Sequence, residues 1–335
     1  MKKQYFIILI ALLMVWPAVA QDLQFTQVLN HPLQLNPALI SSSNDFRINL
    51  GHRAQWQAID KGYQSESFTM IHPVFLKKDT WKEDRGHARL DIGLGLTNDR
   101  VGAFNTSSAI LAVSSGLKIS ESQFASLALY GGYIYKMLDV NNLTFDEQYI
   151  YGSFDPNNNN GETLINDAAG IPDVGFGLAW YYVPNDEDAR FNAYAGMSGY
   201  HMHEFNSTLL DMTGKIYNRL SLQAGAKFLK NDLNDFSVHT GYVTQGGFSQ
   251  FYLGLLTGIY TSEYDKIVFG GWFRQQEALA LQLGYHHRSF FFDISYDFPY
   301  TDVVRSLNNL TTWEVALGYK FNRARKKSYM NYAFF

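Results

Sequence analysis

Stretches of about ten residues in which every second side chain is large and apolar recur along this 335-residue chain, and they constrain its fold more than any other feature. In TTWEVALGYKF, Trp313, Val315, Leu317, Tyr319 and Phe321 share one face of an extended strand, and Thr312, Glu314, Ala316, Gly318 and Lys320 share the other. Side chains of a strand alternate with a period of two, so a slip of one residue would carry Glu314 and Lys320 onto the apolar face. SFFFDISYDF repeats the pattern, with Phe290, Phe292, Ile294, Tyr296 and Phe298 set against Ser289, Asp293, Ser295 and Asp297. DFRINLGHRAQW does so too: Phe46, Ile48, Leu50 and Trp56 oppose Asp45, Arg47, Asn49, Arg53 and Gln55. Gly and Ala recur on the polar face, while Tyr and Trp gather near the segment ends.

Counting such segments predicts about fourteen strands between residues 45 and 321, an even number as in single-chain bacterial outer-membrane barrels. The longer connections expected are 138–172, 203–215 and 299–310, and the others are short apart from the charged stretch 76–87. The fold class expected is therefore all-β, a transmembrane antiparallel barrel with long loops at one end and turns at the other. A soluble β-sandwich also alternates, but this much aromatic surface would aggregate in water.

Composition agrees with export and with lipid. Residues 1–20 run from Lys2 and Lys3 through an apolar stretch, Tyr5 to Trp16, to Ala18-Val19-Ala20, the order of a cleavable signal peptide. The chain has no Cys, hence no disulfide and no lipoprotein anchor. Aromatic residues make up 16% and charged residues only 17%, and the net charge of −4 gives no basic field for nucleic acid. After the leader no apolar run approaches the roughly eighteen residues of a spanning helix.

No nucleophile elbow, phosphate-binding loop or dinucleotide fingerprint is present, so no catalytic residue and no cofactor is predicted. The best metal-like cluster is His201, His203 and Glu204, which reads more simply as a strand end leaving the membrane, and no metal site is predicted. Inward-facing Arg47 and Arg53 are expected to pair with lumen carboxylates such as Asp45 and Asp91.

The segment DLQFTQVLNHPLQLNPALI, followed by FRINLGHRAQW, resembles the opening of the PorP/SprF family of type IX secretion system outer-membrane proteins. The matching positions are Asp22, Phe25, Gln27, Asn30, Leu33, Asn36, Pro37, Ala38, Arg53, Gln55 and Trp56. Thr26 stands where the family has Ser, His31 is inserted after Asn30, and the usual Gly after the Asn-Pro-Ala motif is missing. The resemblance continues through DIGLGLTNDRVGAFN, PDVGFGLAWYYV and YAGMSGYHMHEFN to the final strand. It implies a non-enzymatic outer-membrane protein, with an exported sorting-domain adhesin, the periplasmic secretion components and outer-membrane lipid as partners. An outer-membrane channel is the alternative.

Residues 21–44 form an arm ahead of the wall. A free arm would need no Phe25, Leu29, Leu33, Leu35 and Leu39, so the arm is expected to be ordered, plugging the barrel or meeting the periplasm from that side. Pro32 and Pro37 should fix bends that keep it out of the sheet. Both termini are expected in the periplasm, with a basic, aromatic tail over 322–335 after the wall ends at Phe321.

Overall fold

The computed structural model describes residues 22–42, 45–57, 62–74, 88–139, 143–150, 153–155, 158, 168–184, 190–203, 206–209, 212–231, 234–300 and 311–321. The leader, the charged stretch 76–87 and the tail 322–335 thus lie outside the described residues.

The alternating segments close into one antiparallel barrel of fourteen strands. In chain order they are β1 (Phe46–Gln55), β2 (Tyr63–Val74), β3 (Ala88–Val101), β4 (Phe104–Lys118) and β5 (Gln123–Leu138). Next come β6 (Ala168–Tyr182), β7 (Phe191–Tyr200), β8 (Arg219–Asn231), β9 (Asn234–Gln245) and β10 (Phe248–Tyr260). The wall ends with β11 (Asp265–Arg274), β12 (Ala278–His287), β13 (Phe290–Pro299) and β14 (Thr312–Phe321). Each strand pairs with its sequence neighbour, and β14 returns to β1, with Phe46 opposite Phe321 and Arg53 opposite Glu314. Closure leaves no free edge, the condition for placing a sheet in lipid.

Alternation decides which way each side chain points. On β12, Leu279, Leu281 and Leu283 are 53%, 61% and 56% exposed, whereas Ala278, Ala280 and Gln282 between them are buried. The outer face is thus an apolar band, and the inner face carries the polar residues and the small ones. At one rim Tyr182, Phe191, Phe228 and Phe236 follow one another around four strands, with Phe191 and Phe228 5.1 Å apart. Phe46 and Phe321 continue that aromatic belt across the seam at 5.1 Å.

The rim where β1 begins and β14 ends is here named the turn mouth, and the opposite one the loop mouth. The loop mouth carries the long connections 139–167, 201–218 and 300–311, but also tight turns at Gly102 and at Gly246-Gly247. Gly102 and Gly247 have φ of +62° and +88°, so these hairpins need residues without a Cβ. β3 and β4 therefore run to within two residues of each other, closer than the alternation suggests.

Candidate functional site: the arm and the lumen

The polar inner face is covered from within by the chain's own beginning. Residues 22–42 run through the lumen as a 3-10 turn (Val28–Asn30), a one-turn helix α1 (Pro32–Leu35) and a second 3-10 segment (Pro37–Ser42). Pro32 and Pro37 each open a helical turn, the position at which a missing N–H costs nothing. They start short helices where the sequence suggested plain bends.

The path of the arm departs from expectation. Asp22 bonds to Gln245, His201 and Arg219 at the loop mouth. Asn30 reaches Asn49 and Asp293 midway along the wall, and Ser41 reaches Asp91 and Ser114 nearer the turn mouth. The arm therefore spans the lumen from one mouth toward the other. Its first described residue lies opposite the rim where the wall begins and ends, rather than on the same side. The reason is that the polar anchors suited to Asp22 stand on strand ends and loops at the loop mouth.

Inward glycines make the passage possible. A Cβ at Gly177 would lie 2.2 Å from Asn36 Oδ1 and 2.7 Å from the backbone nitrogen of Ala38. One at Gly51 would lie 2.2 Å from the His31 ring. Leu33, Ala38, Leu39 and Ile40 are fully buried in the space so left.

Most of the motif residues grip the wall. Asn36 donates through Nδ2 to the carbonyls of Leu178 (2.9 Å) and Met197 (3.2 Å) and accepts from the Ala38 amide. Gln27 donates to Ser295 Oγ and to the Glu314 carbonyl, both at 3.1 Å. The amides of Thr26 and Gln27 donate to the two carboxylate oxygens of Glu314 at 2.7 and 3.0 Å. Asn30 donates to Gln27 Oε1 and Asp293 Oδ2, both at 2.9 Å. Phe25 stacks on His31 at 3.8 Å, and His31 Nδ1 meets Ser67 Oγ at 2.8 Å, so the inserted histidine is a packed part of the arm. Gln55 and Trp56 belong instead to the rim: Trp56 leaves β1 with φ of +56° and lies against Tyr63 at 5.0 Å.

Two charged clusters hold the arm. In the first, Arg53 Nη2 meets Asp297 at 2.9 Å and Glu277 at 3.4 Å, and its Nη1 meets Glu314 at 3.4 Å and the Thr26 hydroxyl. Arg274 adds contacts to Asp297 (2.5 Å) and Glu277 (2.9 Å). Arg53 thus pairs with carboxylates of β13, of β14 and of the turn between β11 and β12, not with Asp45 or Asp91; Asp91 serves Ser41 at 2.7 Å. The alternation had already placed Asp297 and Glu314 inside, but nothing in it says that they meet Arg53 and the arm.

In the second cluster His201, just past β7 in the left-handed region at φ +57°, bridges two acids. Its Nε2 lies 2.7 Å from Asp22 and its Nδ1 3.0 Å from Asp173, with Arg219 3.7 Å from Asp22. His203, by contrast, is exposed, and Glu204 lies outside the described residues. Among the described residues no group of acids and histidines is arranged to hold a metal.

Burial alone would push the His201 imidazole down, but its bonds to Asp173 and Asp22 outweigh burial and raise it to about 9. Burial would push Asp22 up, but His201 and Arg219 hold it well below the usual carboxylate range. A histidine raised in the folded state contributes stability that is complete below its unfolded value and lost as pH climbs through the folded one. An acid held down contributes stability present above its unfolded value. This latch therefore holds from mildly acidic pH to about 9. A cysteine placed at Leu23 should gain maleimide reactivity as pH rises from 8 toward 10, once corrected for thiol ionisation, and Asp22→Asn should raise it already at pH 7.

Residues 18–319 match the family described as type IX secretion system membrane protein PorP/SprF. No curated protein matches the sequence. Among solved structures, the toluene transporter TbuX of Ralstonia pickettii is 11% identical, with 87% of this chain and 93% of that one covered and a TM-score of 0.50. The CymD monoaromatic hydrocarbon channel, also 11% identical, covers 88% and 94% at a TM-score of 0.50. A deletion mutant of the TodX monoaromatic hydrocarbon channel, 9% identical, covers 88% and 94% at 0.53. Identities this low speak to the barrel alone.

Proposed function

The chain belongs to the PorP/SprF family of type IX secretion system membrane proteins, and from that premise we propose that it helps deliver or anchor large exported surface proteins. Family and fold are of a non-enzymatic, outer-membrane kind. The partners proposed are adhesins with type B C-terminal sorting domains at the loop mouth and periplasmic secretion components at the turn mouth. The orientation follows from the usual placement of long loops outside and short turns in the periplasm.

The observation that carries this reading is the clasped arm. A lumen crossed by an arm bonded to the wall from Asp22 to Ser41 suits a protein that works at its two ends more than one that passes solutes through its middle. The alternative, a solute channel, has in its favour only the architecture shared with hydrocarbon channels. Deleting the gene should leave the outer membrane intact while stripping one or a few large proteins from the cell surface. An unchanged surface proteome would overturn the proposal, and solute uptake that falls on deletion would favour the channel.

A further inference from the structure

The arm does not fill the lumen evenly. On the side of β8 to β11 it leaves a cavity of ≈ 40 Å³ that opens into a wider cleft, walled by arm residues and by inward residues of those strands. Water-sized openings are ordinary between an arm and a wall, but the lining of this one is chemically two-sided. One part is apolar and aromatic: Phe25 and Leu35 from the arm, with Val243, Tyr252 and Trp272 from the wall. All five are buried.

The other part is polar and short of acceptors. Arg274 and Arg219 line the cavity and are 3% and 8% exposed. Arg274 Nη2 is taken by Asp297 and Glu277, but its Nε and Nη1 find no acceptor, nor does Arg219 Nε. The Gln34 amide, also in the lining, leaves both Nε2 and Oε1 unbonded. Four buried nitrogens of Arg274, Arg219 and Gln34 that donate thus stand unpartnered, beside the Gln34 oxygen and the ring Nε2 of His31, which also lines the cavity. Buried donors in proteins are normally satisfied, so an excess of this size around a cavity marks the chemistry of what fits there.

We propose that this cavity binds a small apolar monocarboxylate, its ring or chain against Trp272, Tyr252 and Phe25 and its carboxylate accepting from Arg274, Arg219 and Gln34. A cationic head would face the two guanidiniums, and a pure hydrocarbon would leave the donors unpartnered. The carboxylate supplies two oxygens to a guanidinium-rich wall, the pairing for which Arg is best suited. The site does not rest on the secretion role, because it is built from the arm and the inner face of β8 to β11.

The test is equilibrium dialysis of radiolabelled benzoate against the full chain in phospholipid nanodiscs, with empty discs as the blank. Saturable binding at one benzoate per chain is expected, with benzylamine and benzene at least tenfold weaker. Val243→Trp fills the apolar end and should weaken benzoate tenfold or more. Gln34→Glu adds no bulk but places a carboxylate among the donors, and should weaken it similarly. Heat-modifiable gel mobility identifies the folded barrels, so Gln34→Glu carries the test if Val243→Trp does not fold. Partition without saturation, equal binding of benzylamine, or benzoate affinity unchanged in a folded variant would each overturn the assignment.

Discussion

Deleting residues 22–42 will turn a nearly closed barrel into an open pore, with single-channel conductance in planar bilayers rising by about tenfold or more. A fourteen-strand wall encloses more space than its own side chains can fill, since barrels of about eight strands are already just filled. Here the space is taken by the arm, whose Leu33, Ala38, Leu39 and Ile40 are fully buried against the wall. Without it, inward charges of both signs, Asp91, Asp293, Asp297 and Glu314 with Arg47, Arg53, Arg219 and Arg274, would face water, a lining suited to ion flow. The wall should survive the deletion, because its closure rests on the β1 to β14 ladder, ten residue pairs long, and not on the arm. Conductance equal to that of the full chain would mean that the arm does not obstruct the lumen.

The second large effect is expected at Arg53. Arg53→Met leaves Asp297, Glu277 and Glu314 facing one another with Arg274 as the remaining guanidinium. Breaking a buried ion pair by removing one partner typically costs about 3–5 kcal/mol, because the other charge is left uncompensated. The Thr26 hydroxyl loses a donor at the same time. Urea titrations of the barrel in lipid vesicles should show that loss. Adding Glu314→Gln should return part of it, because one of the stranded charges is then removed. A single variant within about 0.5 kcal/mol of the parent would mean that water reaches the cluster and screens it.

The wall was legible in the sequence because alternation is a local signal. Each strand carries its own register, as Glu314 and Lys320 do on β14, and an even count of such strands is that of a closed outer-membrane wall. The presence of an ordered arm was legible for a related reason: Phe25, Leu33, Leu35 and Leu39 have no use in water. Its route was not. The contacts that fix it join residues far apart in the chain, such as Thr26 with Glu314, 288 positions later. They also depend on which inward residues happen to be small, as at Gly51 and Gly177. The bridge of His201 between Asp22 and Asp173 was hidden likewise, since it joins an arm, a strand and a loop with no common spacing. The histidine pair in that stretch invited a metal reading that the turn at His201 breaks, by sending His201 inward and leaving His203 exposed.

An arm bonded from mouth to mouth also fixes an order of events in biogenesis. The segment synthesised before any strand ends up encircled by all of them, held at Glu314 by one of the last strands made. Once the seam between β1 and β14 has zipped, that segment could enter only by being threaded end-on through a finished ring. The simpler sequence is that it lies in place first and the sheet wraps around it, as staves are raised around a former, with the seam as the final step.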